Sequence, residues 1–441
     1  MNKKRFPVFI SLEEKPILVV GGGNIAARRV RSILGFGPRV TVWAPELSSE
    51  LQRLLSEGRI TWWRGAYCTG GIDGFFLILA ATGDEKVNEA VYWEAKKKHI
   101  PVNVASDQSL CDFFFPALVE TEKLVIGLAG DGSDHRLVKE TAAALREHMK
   151  PIRVGSRESR LAVIQSEMVV EYLKKELPGR PVELLTMKTM GDRILDRRLD
   201  QIGGKGLFVK ELDQALLDGR SDLSVHSLKD MPMEVPEELP LLGFSRREDP
   251  RDVLVLPINQ TEWDRTLPVG CSSRRRMVQL SKLYPDVTFC NIRGNVLTRI
   301  KKLDTGEYGA LVLAAAGLKR LGLSERISRY FSVEEMIPAA GQGILAIQGR
   351  KGEDYSYLNG FFDPEASFAA RAERSFVRTL DGGCSSPIAA HAEIKNGMLR
   401  LRGLYYSEER DDFVIGEISG EPEACEILGE KLALQLKKQL L

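Results

Sequence analysis

Short apolar runs that alternate with amphipathic stretches constrain this chain more than any other feature. Residues 16–20, 39–43, 75–80 and 102–104 read as buried strands, and 26–34, 47–57 and 87–98 between them carry helical spacing. A further strand is expected at 124–128 and a helix at 136–149. Strands separated by helices need crossover connections, so the pattern predicts a parallel sheet covered by helices. Pro151 marks a seam, after which the rhythm restarts with a strand at 152–155, a helix at 159–177 and a strand at 182–186. A helix at 210–217 and a strand at 222–225 follow. The apolar strand at 253–256 opens a second α/β stretch, continued by strands around 269, 287–290 and 310–313. From about residue 364 the pattern becomes a helix (367–380), short alternating strands and a charged helix, a small α+β tail.

Composition excludes several classes. Lys and Arg number 62 against 61 Asp and Glu, a net charge of +1, so no global field favours nucleic acid or a membrane surface. An anion site must come from local clustering. The 6 cysteines lie far apart and form no zinc-site spacing, so no metal is expected. The start is basic and runs straight into a strand-like segment, unlike a secretory leader, and no apolar run reaches the length of a membrane span. A reducing cytoplasm with free thiols is the expected setting.

Residues 21–26 read Gly-Gly-Gly-Asn-Ile-Ala, matching G-x-G-x-x-A directly after a strand and at the opening of a helix. In that context glycines let the backbone approach a pyrophosphate, whose charge meets free N–H groups at the helix start. Gly21, Gly23, Asn24 and Ile25 are the candidate contacts. The acid that would contact a ribose is not clearly placed, Glu46 being the candidate, so NAD and NADP are not distinguished.

The stretches PILVVGGGNIAARR, VTVWAPEL, LAATGDEKVNEAV and VNVASDQSLCDFFFPA resemble the N-terminal domain of siroheme synthase and precorrin-2 dehydrogenase, over about residues 6–150. The resemblance implies NAD-dependent oxidation of precorrin-2 to sirohydrochlorin, and a homodimer formed through this part. The family's catalytic aspartate position falls on Ser106, with Asp107 one step later as a substitute. The family's Ser-rich loop is altered at 129–133, and its following helical domain is replaced by the module that Pro151 begins, so metal insertion is not expected. A nucleotide-sensing remnant stays open as an alternative.

After Pro151, five separate basic turns stand at predicted strand ends: Arg157 and Ser159; Lys205; Ser273 to Arg276; Arg293 and Arg299; and Arg320. Strand carboxyl ends are where open α/β sheets bind ligands, and arginine forks suit carboxylates, so a polycarboxylate ligand is implied. Asp230, beside Lys229 and before Pro232, is an acid among cations; it can stabilise a cationic intermediate or move a proton. His226 reads as a buried, hydrogen-bonded side chain. Cys384 lies in LDGGCSSP, a loop that leaves a thiol accessible to serve as a covalent anchor or to be incidental.

VGSRESRLA, IGGKGLFVKELDQALLDGRSDLSVHSLKDMP, REDPRDV, RGNVLTRIKKLDTGEYGALVLAAAGLKRLG, PAAGQGILAI and LDGGCSSPIAAHAEI resemble, in order, hydroxymethylbilane synthase (porphobilinogen deaminase). The resemblance implies three domains, the first two like periplasmic binding proteins with the active site between them: 151–248 plus 339–363, 249–338, and 364–441. It implies a dipyrromethane cofactor held by Cys384 through a thioether. Asp230 would assist loss of ammonia from porphobilinogen and stabilise the azafulvene and pyrrole cations. Arg157, Ser159, Lys229, Ser273, Arg275, Arg276, Arg293, Arg299 and Arg320 match residues that bind acetate and propionate groups. Lys205 and Gln342 fall in motifs lining the same region. Four porphobilinogen units would be joined and released as hydroxymethylbilane. Cys271, Arg274 and Gln201 depart from the family's usual residues. The rival expectation is a two-lobed polyanion-binding protein with a regulatory nucleotide-sensing domain; it would need neither Asp230 nor Cys384.

Overall fold

A computed structural model of the chain describes residues 6–121, 124–131, 134–189, 209–382 and 386–440. Two compact units divide the chain, Met1–His148 and Met149–Leu441.

The first unit holds a five-stranded parallel sheet in the order Thr61–Arg64, Arg39–Ala44, Pro16–Val20, Leu77–Ala80, Val102–Val104. Each face of the sheet has its own core. Ile17 and Val19 pack with Ala26, Val30, Leu51 and Leu54 from the helices Asn24–Leu34 and Ser49–Ser56. Leu18 and Val20 pack with Val91 and Ala95 of the helix Glu85–Lys97. Successive side chains point to opposite faces, so a sheet covered on both sides reads as an unbroken apolar run. The edge strand Thr61–Arg64 had no such signal, because its Thr-Trp-Trp-Arg side chains stay exposed or half-buried. Strand order reverses at Pro16–Val20, which puts the turn at Gly21 at the switch point of the sheet. An antiparallel pair, Ala117–Glu120 with Val125–Leu128, and the helix His135–His148 follow.

The second unit contains two mixed sheets. One runs Leu241–Phe244, Leu345–Gln348, Leu223–Ser227, Ile152–Arg157, Val182–Met187. The other runs Phe289–Cys290, Val269–Gly270, Ala310–Ala314, Asp252–Val255, Arg329–Tyr330. The strands expected from the sequence pair in parallel except at Asp252–Val255, which is antiparallel to Ala310–Ala314. The strands not expected, Leu241–Phe244, Leu345–Gln348 and Arg329–Tyr330, are all antiparallel to a neighbour. The backbone passes between the two sheets at 245–251, where the apolar run at 253–256 marks the change, and again at 331–344, where no helix intervenes and the rhythm gives no warning.

A three-stranded antiparallel sheet (Ala389–Lys395, Met398–Ser407, Asp412–Gly420) completes the unit, packed by the helices Pro364–Thr379 and Cys425–Gln439. The first of these helices starts where Asp363 accepts a hydrogen bond from the Ala366 N–H at 2.7 Å, with proline at its opening position. Within its apolar stripe stands one carboxylate, Glu373, fully buried. It accepts from Arg247 at 2.7 Å, from the Gly341 N–H at 2.7 Å and from the Ala392 N–H at 2.6 Å. It thereby ties the C-terminal sheet and helix to both inter-sheet passages. Burial pushes its carboxyl up, against the pull of the Arg247 guanidinium.

Candidate active site

In the first unit the glycine turn divides by function. Gly21 has φ of 124°, and a Cβ there would stand 2.4 Å from the Ala81 carbonyl oxygen. A Cβ on Gly22 would stand 1.8 Å from the Glu46 carbonyl oxygen. Packing alone explains these two. A Cβ on Gly23 would meet nothing within 4 Å, and the helix that starts there has no side-chain cap. Its first N–H groups therefore face an open cradle suited to a pyrophosphate, beside exposed Asn24 and Ile25. The Glu46 side chain is exposed.

Asp107 is exposed and takes a local role. Its carboxylate accepts from the Ser109 N–H at 2.7 Å and hydroxyl at 2.8 Å, bonds that hold it below the usual carboxylate range. The Ser106 hydroxyl accepts from the buried Asn88 amide at 3.1 Å, and Asn88 in turn accepts from the Thr82 N–H at 3.1 Å. Sequence reasoning missed Asn88, which sits on an apolar helix face where an amide has to be satisfied internally. Gln108 opens onto a cleft of about 300 Å³ lined also by Phe114, His135, Lys139 and Arg146.

In the second unit Asp230 closes a short 3₁₀ turn, Leu228–Asp230, directly after the strand Leu223–Ser227. Its side chain is exposed, in a recess shared with Arg157, Gln165, His226 and Ser227. Gln165 and Ser227 hydrogen-bond each other at 3.0 Å; Gln165 lies outside the motif stretches, and Ser227, though inside VHSLKDMP, carries no charge that would have singled it out. Ser159 caps the helix Arg160–Glu176 by accepting from the Ala162 N–H at 3.4 Å. His226 is buried against Gln348 at 3.1 Å, and burial, with Arg157 nearby, pushes its imidazole down to about 4. It stays neutral and is no base near pH 7.

The other wall comes from the second mixed sheet. The helix Arg274–Leu283 opens at Ser273, whose hydroxyl makes no capping bond. Its three arginines diverge. Arg274 turns to Glu408 at the surface. Arg275 and Arg276 are 4% and 8% exposed and converge on Asp252, which is wholly buried, at 2.7 and 2.8 Å. Burial alone would raise the Asp252 carboxyl, but the two guanidinium groups outweigh it and hold it well below the usual range. Asp252 lies inside the REDPRDV stretch, yet nothing in the sequence marks which acid balances this pair. Lys229 is pushed down to about 8, first by burial and then by Arg276 and Arg275, with Asp230 and Asp252 opposing.

Arg299 donates to the Gly294 carbonyl at 2.8 Å. Burial and the neighbouring Arg276 and Arg293 lower its guanidinium, against Cys271 and Asp230. Asp230 thus feels cations from both sheets. Arg320 is turned to the Gly343 carbonyl at 2.7 Å, with its Nε buried and unpartnered. Gln342 is buried between Lys229 and Asp252. Lys205, Gln201 and Cys384 lie outside the described residues. Among the described residues no group of three or more His, Cys, Asp or Glu is placed to hold a metal ion, and no helix is long and apolar enough to cross a membrane.

Family models match three stretches. Residues 152–357 match "Porphobilinogen deaminase, dipyromethane cofactor binding domain", 367–438 match "Porphobilinogen deaminase, C-terminal domain", and 8–117 match "Putative NAD(P)-binding". Porphobilinogen deaminase of Alkaliphilus oremlandii is 58% identical over 286 residues, covering 65% of this chain and 96% of its own. That of Acetivibrio thermocellus is 54% identical over 287 residues, covering 65% and 98%. Among solved structures, "SirC, precorrin-2 dehydrogenase" is 26% identical with a TM-score of 0.30, covering 40% of this chain and 81% of its own.

Proposed function

The chain belongs to the porphobilinogen deaminase family, and from that premise we propose that it joins four porphobilinogen molecules on a dipyrromethane primer attached to Cys384 and releases hydroxymethylbilane. The observation that carries this reading is the placement of one solvent-facing carboxylate, Asp230, among cations from two sheets. Arg157 and Lys229 stand on one side, and Arg276, Arg293 and Arg299 on the other.

The donor set fits a group rich in acetates and propionates. The Ser273 hydroxyl makes no capping bond to the helix it opens, so it is left to meet a carboxylate. Arginine and lysine supply charge-assisted donors on both walls. The primer, when bound, supplies a covalent chain end to which each pyrrole is added. Asp230 holds negative charge beside the aminomethyl carbon of porphobilinogen as ammonia leaves from its already protonated ammonium form, stabilises the cation left behind, and accepts the proton that coupling releases. Arg157, Arg293 and Arg299 orient carboxylates so that the reacting carbon meets Asp230. Lys205 and Arg320 are proposed to line the same region, and Ser159 to present the start of its helix to a carboxylate.

Replacing Asp230 with Asn should lower turnover about 10²- to 10⁴-fold, the usual contribution of a positioned acid–base group. Full turnover in that variant would remove Asp230 from the chemistry and favour the polyanion-binding reading.

For the first unit we propose NAD binding at Gly21, Gly23, Asn24 and Ile25, with oxidation of precorrin-2 assisted by Asp107. NAD, when bound, supplies a hydride acceptor; the turn binds pyrophosphate and the helix start faces its charge. NADH formation from precorrin-2 and NAD tests this. A second reading, nucleotide-dependent regulation of the synthase, is favoured by the bonds that commit Asp107 to Ser109. An unchanged rate with porphobilinogen at saturating NAD would exclude it.

A further inference from the structure

Gln342 lies in the passage that leads back to the strand Leu345–Gln348, between two glycines with positive φ, Gly341 at 75° and Gly343 at 92°. A Cβ on Gly341 would stand 2.6 Å from the Leu228 side chain, and one on Gly343 would stand 2.3 Å from the Glu248 carbonyl oxygen. The turn is thus pressed against the residue preceding Lys229 and against the other inter-sheet passage.

The Gln342 side chain is 1% exposed. Its amide nitrogen donates to the Pro250 carbonyl at 2.7 Å and to the Asp252 carboxylate at 3.0 Å. Its amide oxygen accepts from the Lys229 ammonium at 3.4 Å. Both N–H donors are committed to protein, so none is left for a ligand carboxylate. The family motif places Gln342 among substrate contacts; its geometry assigns it a different task.

We propose that Gln342 is a positioning residue that fixes the spacing between Lys229, beside Asp230 on one sheet, and the Asp252–Arg275–Arg276 group on the other. The inference rests on the reading of Asp230 and Lys229 as reaction groups. An amide suits the place because it offers an acceptor to the cation and donors to the anion. A carboxylate would repel Asp252, and an apolar chain would take one hydrogen bond from the half-buried Lys229 ammonium and one from the buried Asp252 carboxylate. The charged groups facing Lys229 are Asp230 and Asp252, which favour its charged form, and Arg275 and Arg276, which oppose it. Gln342 therefore reports on the alkaline limb of activity as well as on rate.

The test compares Gln342→Met, close in size but apolar, with Gln342→Glu in the full chain. Intact mass first confirms that each variant carries the same primer as the parent. Gln342→Met should lower kcat/KM for porphobilinogen about 10-fold or more, from a lost hydrogen bond to a charged group. Its alkaline limb should move down by about one pH unit, and that of Gln342→Glu should move up by a similar amount. Limbs unmoved in both variants, with only the melting temperature lowered, would reduce Gln342 to a structural role and overturn the proposal. Should Gln342→Met fail to fold, the upward shift in Gln342→Glu alone decides it. Full turnover in Asp230→Asn would instead mark failure of the underlying reading.

Discussion

At residues 21–25 the first unit presents open backbone, whereas the second unit gathers charged side chains drawn from two sheets. In the glycine turn, Gly21 and Gly22 are fixed by neighbours closer than 2.5 Å to any added Cβ, and Gly23 faces open space. Shape decides what can be changed there. In the cleft, Arg275 and Arg276 are buried on Asp252, and Lys229 is held between like and unlike charges. Charge balance decides what can be changed there. A backbone site is therefore announced by glycine spacing, but its chemistry stays anonymous. A side-chain site announces its chemistry while hiding the counter-charges that make it stable.

The largest effect should come from breaking the charge balance. Asp252→Ala leaves two buried guanidinium groups uncompensated, and should cost about 3–5 kcal/mol, read as a lowered urea midpoint for the second unit. An unchanged midpoint would remove the contrast between the two sites. Gly22→Ala should come next, because its Cβ would overlap the Glu46 carbonyl. A loss of about 1–3 kcal/mol in the first unit and no NAD titration are expected. Gly23→Ala, with nothing to strike, should keep the fold and alter NAD affinity alone.

Acid should act on the second unit through His226. The unfolded chain binds a proton below the ordinary value of 6.5, the folded chain only below about 4. Stability is complete above pH 6.5 and is lost as pH falls through that window, then levels off. Buried His391, pushed down to about 3 by burial and Arg247, acts in the same direction. Urea midpoints between pH 8 and pH 4 check this; a flat profile would contradict the burial of both imidazoles. The smallest stability effect belongs to Asp107→Asn. An exposed turn cap that keeps an acceptor should change stability by less than about 0.5 kcal/mol. Any loss of precorrin-2 oxidation in that variant is then chemical.

Much of this was legible in sequence. The continuously apolar strands of the first unit declare a sheet buried on both faces, and G-x-G-x-x-A after a strand locates the switch point. The basic turns at Arg157, Ser273 to Arg276, Arg293 to Arg299 and Arg320 mark where cations gather in the second unit. What stayed hidden has specific causes. Leu241–Phe244 and Leu345–Gln348 are entered without an α-helix, and Arg329–Tyr330 is only two residues long, so rhythm does not place them. Asp252 and Glu373 balance arginines distant in sequence, a pairing that only the folded chain brings about. Glu373 did leave a trace, as a lone acid between Ala372 and Phe376 on an apolar stripe. Gln342 left a motif but no hint that both its donors were committed.

The most direct test is the intact mass of the purified chain beside its Cys384→Ser variant, both produced in cells rich in porphobilinogen. A mass excess equal to two linked pyrroles, present in the parent and absent from the variant, is the predicted result. Equal masses matching the bare chain would contradict the covalent primer, and the cationic cleft would then belong to a polyanion-binding protein.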